Sequence, residues 1–241
     1  SYGQVGNANL GGRRFAYLST ITDDYETLNM YKWGLDSSYG LTGMAEGEFA
    51  VQDLTWEIVN KMNLGVELGF LNGMIDLQLD YFDERRKDIF MPRESVPMTA
   101  GFMKQPWKNF GKVTNQGVEV SLNVNKQFGK DLFVSLMGTF TYAHNEITEK
   151  DEPSAVVGTN RAETGHPVGQ LTGYIAEGLF TADDFEDVST GKLKEGIPTQ
   201  SFVGKLRPGD IRYRDVNGDG KVDVFDKSPI GGTKDPEIVY G

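Results

Sequence analysis

The densest concentration of side chains able to do chemistry lies between Asp215 and Asp226, in the run Asp-Val-Asn-Gly-Asp-Gly-Lys-Val-Asp-Val-Phe-Asp. Counted from Asp215, side-chain oxygens stand at positions 1, 3, 5, 9 and 12, on Asp215, Asn217, Asp219, Asp223 and Asp226. Gly220 occupies position 6, where such a loop turns sharply, and Lys221 at position 7 offers its backbone carbonyl. Hard cations take about six to eight oxygen ligands from this kind of spacing, so the expected ligand is a structural Ca2+. The competing expectation is a tight Asx-rich turn whose carboxylates are merely solvated.

The loop resembles the calcium loops of EF-hands and dockerins, with two departures. Asp226 stands where an EF-hand carries a bidentate Glu, and Pro208, Gly209 and Pro229 leave no room for the two flanking helices. A calcium loop outside an EF-hand is expected. Elsewhere the chemistry thins out. No nucleophile elbow, zinc-protease helix, phosphate-binding loop or dinucleotide fingerprint occurs, and His144 and His166 are the only imidazoles, each expected on the surface or in a loop. No pair among the 35 acids is singled out for sugar hydrolysis, so no enzyme activity is expected. The acidic run 183–187 reads as a solvated loop face. Trp107, with Phe102 and Phe110 nearby, reads equally as a sugar-stacking ring and as loop packing.

The elements that must carry these residues are strands. Leu64, Val66, Leu68 and Phe70 alternate with Asn63, Gly65, Glu67 and Gly69, which gives one apolar face at a period of two. Asn72-Gly73 suits a type I′ turn, and Ile75, Leu77, Leu79 and Tyr81 resume the pattern against Asp76, Gln78 and Asp80. A second hairpin sets Val118, Val120, Leu122 and Val124 on one strand, then a short turn at Gln127 to Asp131. Its return strand carries Leu132, Val134, Leu136, Phe140 and Tyr142. Short strands are expected at 14–21 and 171–180, residues 56–62 should open the first hairpin, and no helix is expected.

Tight turns alternate with long connections, 85–114 and 145–236, as they do in outer-membrane barrels with short periplasmic turns and long extracellular loops. The expected fold class is all-β, an antiparallel meander of hairpins from a transmembrane β-barrel, with Tyr81, Phe82, Phe140 and Tyr142 suited to an interfacial girdle. The whole chain, 1–241, is then one partial barrel region whose excursion 145–236 contains the calcium-like loop 215–226. A soluble, secreted, calcium-stabilised β-sandwich that binds carbohydrate alternates in the same way, but it would bury its apolar faces against each other.

Composition narrows the classes further. The 241 residues are 38% hydrophobic and 24% charged, within the range of folded chains. A net charge of -11 without a basic cluster argues against nucleic acid as a partner. Cysteine is absent, which excludes disulfides and thiolate zinc sites. No apolar run approaches the roughly 18 residues of a membrane-spanning helix. The start at Ser1 and the apolar stop at Ile238-Val239-Tyr240-Gly241 read as cuts in a longer protein.

Several stretches from about Leu54 onward resemble the SusC/RagA-like TonB-dependent outer-membrane transporters. They are Leu54-Thr55-Trp56-Glu57, Asp80-Tyr81-Phe82-Asp83 with Lys87-Asp88-Ile89, and Asn109-Phe110-Gly111-Lys112-Val113-Thr114-Asn115-Gln116-Gly117-Val118-Glu119. Gly165-His166-Pro167-Val168-Gly169, Gly173-Tyr174-Ile175-Ala176-Glu177-Gly178-Leu179-Phe180 and Pro208-Gly209-Asp210-Ile211-Arg212-Tyr213 follow, then Pro229-Ile230-Gly231. The resemblance implies a Gram-negative outer-membrane location and a barrel of about 22 strands with an N-terminal plug. It also implies coupling to TonB through an N-terminal region, a SusD-like surface lipoprotein as partner, and glycans or peptides as cargo.

Overall fold

The computed structural model describes residues 1–8, 10–22, 31–33, 39–41, 44–102 and 104–241. The first unit takes in 1–154 and 238–241, and the second takes in 155–237. Among the described residues the only helical turns are short 3-10 segments, at Met98–Ala100, Ala182–Asp184 and Val224–Asp226.

The first unit is built on one sheet. Its strands are β1 (Tyr2–Asn7), β6 (Glu57–Phe70), β7 (Ile75–Pro92), β8 (Trp107–Phe128), β9 (Leu132–Glu149) and β18 (Ile238–Tyr240), hydrogen-bonded in that order. Every neighbouring pair is antiparallel. Between β1 and β6 lie the short strands β2 (Ile21–Thr22), β3 (Tyr31–Trp33), β4 (Tyr39–Leu41) and β5 (Ala45–Glu46), which pair as β2 with β5 and β3 with β4. The expected strand at 14–21 is mostly turn, with only its last residue in β2. Strand β1 was not expected, because Tyr2-Gly3-Gln4-Val5-Gly6-Asn7 carries no apolar alternation.

The two hairpins form as their alternation requires. Phe70 pairs with Ile75 across residues 71–74, and Phe128 pairs with Leu132 across 129–131. In the first turn the Met74 N–H donates to the Leu71 carbonyl at 3.3 Å. Asn72 and Gly73 between them have φ of 57° and 80°, the positive values that a type I′ turn demands. Leu71 is also left-handed, at φ 55°, so the strands stop one residue further from the turn than a two-residue loop would allow.

Register stacks like side chains into rungs across the sheet. One face carries Leu64, Tyr81, Val118, Tyr142 and Ile238 in line, then Val66, Leu79, Val120, Phe140 and Tyr240. Leu68, Leu77 and Leu122 follow, and Phe70, Ile75, Val124 and Leu136 close the band. The opposite face carries rungs such as Gly65, Asp80, Glu119 and Thr141, and Glu67, Gln78, Ser121 and Thr139. Most of these apolar side chains are exposed. Leu64 is 66% exposed and Leu136 63%, while the buried apolar residues of this unit, Ala16, Val51, Val59 and Ile147, all lie beyond the band. A sandwich would bury these rungs for a gain of about 25 cal/mol per Å2; they are exposed instead, so the sandwich alternative is not the fold.

The strands run further than the alternation showed. β7 continues to Pro92 and β8 begins at Trp107, which shortens the connection read as 85–114 to residues 93–106, and β9 continues to Glu149, past the expected start of the excursion at 145. The reason is visible in the next rungs. Met62, Asp83, Gln116 and His144 align on the formerly apolar face, and Asn60, Arg85, Thr114 and Glu146 follow. The other face there mixes Arg86 with Val59, Val113 and Ile147 in one rung, so polar and apolar residues no longer sort by face and the continuing strand loses its period-two signature.

The second unit holds β10 (Gln170–Gly173), β11 (Ala176–Leu179), β12 (Phe185–Asp187), β13 (Lys192–Leu193), β14 (Thr199–Gln200), β15 (Ile211–Tyr213), β16 (Lys221–Val222) and β17 (Ser228–Thr233). They form four two-stranded ribbons, β10 with β17, β11 with β15, β12 with β13 and β14 with β16. The expected strand at 171–180 is thus two strands, β10 and β11. Phe180, Phe185 and Leu206 make a small core, with Leu193, Ile197 and Val203 packed against it.

Candidate functional site

The twelve-residue loop is a turn held by hydrogen bonds from its own backbone amides. Gly218 and Gly220 take φ of 76° and 84°, in the left-handed region open to glycine. The Asp215 carboxylate accepts from the N–H of Gly218 at 2.7 Å and of Gly220 at 2.8 Å, Asn217 accepts from Asp219 N–H at 2.9 Å, and Asp219 accepts from Lys221 N–H at 2.9 Å. Asp226 is fully buried and closes the loop. One of its oxygens accepts from Val216 N–H at 2.8 Å and Asn217 N–H at 3.3 Å, the other from Asp223 N–H at 2.7 Å. Asp223 in turn caps the 3-10 turn by accepting from Phe225 N–H at 2.8 Å. The carboxylates are turned to backbone amides, and among the described residues no three Asp, Glu, His or Cys side chains are gathered as a metal cage.

The other singled-out residues have structural partners. Trp107 lies 5.1 Å from the Phe90 ring and carries the Arg13 guanidinium 4.3 Å above it, Phe102 meets Phe49 edge-on at 4.6 Å, and Arg93 sits 5.4 Å over Phe110. Each of these three rings thus has a neighbour within the protein, and Trp107 and Phe110 lie in β8. His144 lies within β9 opposite Gln116, and His166 lies in a turn of the second unit. In the acidic run, Asp183 and Glu186 are exposed, but Phe185 is a core residue and the remaining two carboxylates hold turns. Asp184 accepts from the Thr181 N–H at 2.7 Å and hydroxyl at 2.9 Å. Asp187 accepts from the Ser189 hydroxyl, the Thr190 hydroxyl and the Ser189 N–H, which lowers its pKa to about 2.

Three polar clasps have no sequence signature, because their partners are distant in the chain. Asn109 donates to the carbonyls of Asp88 at 2.8 Å and Thr55 at 2.9 Å and accepts from Thr55 N–H at 3.0 Å. It thereby holds a β-bulge at Asp88, whose φ is 59°. Asp151 accepts from Arg93 at 2.8 Å and from the Ser95 hydroxyl and N–H. Burial pushes the Asp151 carboxyl up, but these bonds and the Arg93 charge outweigh it and hold the pKa below the ordinary value. Asn160 donates to the carbonyls of Phe225 at 3.0 Å and Lys227 at 2.7 Å, tying the end of the acidic loop to the turn at 159–161.

The sheet of the first unit also sorts its connections by length. Its tight turns, 71–74 and 129–131, lie at one rim; the connections 8–56, 93–106 and 150–237 all leave from the other. The apolar band covers Val118 to Phe128 on β8 and Leu132 to Tyr142 on β9, about the 9–11 residues of a tilted membrane strand. Tyr81 and Tyr142 mark its edge toward the long connections, one rung before Asp83 and His144. At the tight-turn rim Lys126 reaches over Phe128, its Nζ 5.0 Å from the ring, as a lysine does when it snorkels out of lipid.

Comparison with known proteins agrees with this architecture. The chain is 23% identical over 96% of its length to TonB-dependent receptor P3 of Formosa agariphila and 28% identical over 94% to TonB-dependent receptor SusC of Bacteroides thetaiotaomicron. It spans 22% and 21% of those relatives. Its fold superposes on the solved RagAB peptide transporter with a TM-score of 0.63 at 20% identity, covering 100% of this chain and 23% of that one. A family model described as TonB dependent receptor-like, beta-barrel matches residues 1–229. These relatives are outer-membrane receptors, not enzymes. An open sheet with a lipid-facing apolar band, a polar inner face and one long-loop rim is a section of such a wall, and the chain belongs to the TonB-dependent receptor-like β-barrel family.

Proposed function

We propose that the chain is a section of barrel wall and outer loops in a SusC/RagA-type importer of glycans or other nutrient oligomers. The reading rests on the sheet: apolar rungs toward lipid, polar rungs toward a lumen, and every long connection on one rim, where cargo would be met. Names of the relatives support it. One is SusC, and a structural neighbour is titled a peptide transporter, so both oligosaccharides and peptides are cargo classes to try. Coupling to TonB and a SusD-like surface lipoprotein complete the proposal, since a wall section carries no energy source of its own. The test is deletion of the gene for the full-length protein, followed by growth on single oligosaccharides and peptides, with co-purification from detergent-solubilised outer membranes. Loss of growth on one oligomer and recovery of a surface lipoprotein are expected; unaltered growth on all of them would sink the importer reading.

For the loop 215–226 we propose a structural clasp that Ca2+ would tighten. Asp215, Asn217, Asp219, Asp223 and Asp226 with the Lys221 carbonyl are the donors, and rotation of the exposed carboxylates would bring them to the ion. Calcium at millimolar level should raise resistance to proteolysis between Pro208 and Pro229, and chelation should remove that gain. Equal cleavage with and without calcium would leave the loop as a turn stapled by its own amides.

A further inference from the structure

A cavity of about 330 Å3 in the second unit reverses the charge balance of an otherwise acidic chain. Arg161, Lys227 and Lys234 line it together with His166, against one carboxylate, Glu163. The three cations come from separate segments, and the fold gathers them on purpose-built supports. Asn160 fixes the carbonyl of Lys227 and precedes Arg161, whose guanidinium is oriented 4.9 Å over the Phe225 ring. Lys234 is set by its N–H, which donates to the Gly169 carbonyl at 3.1 Å where β10 and β17 meet. Lys227 also leans toward a second feature. Its Nζ lies 5.7 Å from the Tyr174 ring, which stacks on Phe202 at 4.5 Å and packs with Tyr213 at 5.6 Å. Phe202 is 46% exposed, so the cluster keeps an open aromatic face beside the cationic cavity.

We propose that this cavity binds the anionic group of an acidic sugar. A volume near the lower end of small-molecule sites, roughly 300–1,000 Å3, holds one sugar unit. Arg and Lys clustered against a single Glu recognise a carboxylate or sulfate through charge-assisted hydrogen bonds. The neighbouring aromatic face gives the next ring an apolar surface to lie on, which a bare anion would not use. The inference rests on the importer reading above and narrows its cargo to acidic oligosaccharides.

The experiment uses the full-length protein extracted from outer membranes in detergent. Calorimetry would compare an oligogalacturonate with its neutral galactose counterpart, with a sulfated galactose oligomer and with a peptide ending in a free carboxylate. The acidic sugars should bind about ten-fold or more tighter than the neutral one, and the Lys227→Gln/Lys234→Gln double variant should erase most of that preference. Both substitutions leave the backbone bonds intact, and retained heat-modifiable migration would show that the barrel is folded. The two acidic sugars separate carboxylate from sulfate as the anion. Equal binding of acidic and neutral sugars, no binding of either, preference for the peptide, or an unchanged preference in the variant would each overturn the proposal. A heat-modifiable outer-membrane barrel giving any of those results would keep the importer reading, whereas absence from the outer membrane would remove the importer reading itself.

Discussion

Asp226 shows how a residue can be legible in kind and hidden in role. The spacing from Asp215 marked it as the closing oxygen of a cation loop, but only the fold shows it fully buried and shared among the amides of Val216, Asn217 and Asp223. Asp226→Ala strands those amides, and the local cost should be about 3 kcal/mol, seen as faster hydrogen exchange across 215–226. Asp187 gives a pH prediction. Its carboxyl is stabilised as the anion, with the pKa lowered to about 2, so its contribution is complete above the ordinary carboxylate range and is lost as pH falls through about 2. Proteolysis of the turn between β12 and β13 by an acid protease should therefore stay slow at pH 4 and accelerate near pH 2, and Asp187→Asn should be cleaved equally fast at both. Asp151 and Asn160 carry no signal of their role, and Asn109 stands in a family-like stretch that does not show what it holds, because a clasp is a relation between distant segments and no residue type announces it.

At the scale of elements, the hairpins were readable wherever one face meets lipid and the other water. Alternation identified Asn63 to Tyr81 and Val118 to Tyr142, and Asn72-Gly73 identified the turn, because positive φ at two adjacent positions selects those residues. The extensions to Pro92, Trp107 and Glu149 were not readable, since polar and apolar residues share rungs there, as Arg86 does with Val59, Val113 and Ile147. Glycine marks one close approach in this wall. A Cβ on Gly117 would lie 2.2 Å from the Tyr142 carbonyl oxygen and 2.5 Å from the Phe82 ring, which covers the space a side chain would need. Gly117→Val should thus prevent stable pairing of β8 with its neighbours, and the full-length protein should lose its heat-modifiable form, whereas Gly129→Asn, at an open turn with φ of 64°, should keep it.

The whole-molecule question was which way the apolar faces point, and a local pattern cannot answer it. A membrane wall and a sandwich share period two; they differ in whether a second sheet covers the rungs. Leu64, Leu79 and Leu136 are exposed, and in a barrel of the receptor family a face of this kind meets lipid. Leu68→Arg, in the middle of the band, should destabilise the folded barrel by about 2–4 kcal/mol in lipid, while Gln78→Arg on the opposite face should be nearly neutral. Reversible unfolding in liposomes of the full-length protein would measure both, and equal costs would contradict the assignment of faces. By itself, the sequence determined the alternating parts of the two hairpins, their apolar faces, the tight turns and the acidic loop, since each depends on neighbours within a few residues. Only the tertiary structure decided that the rungs align into one uncovered wall, that every long connection leaves from one rim, and that Arg161, Lys227 and Lys234 share a cavity. Those facts depend on register and on loop closure between distant segments, which local periodicity does not encode.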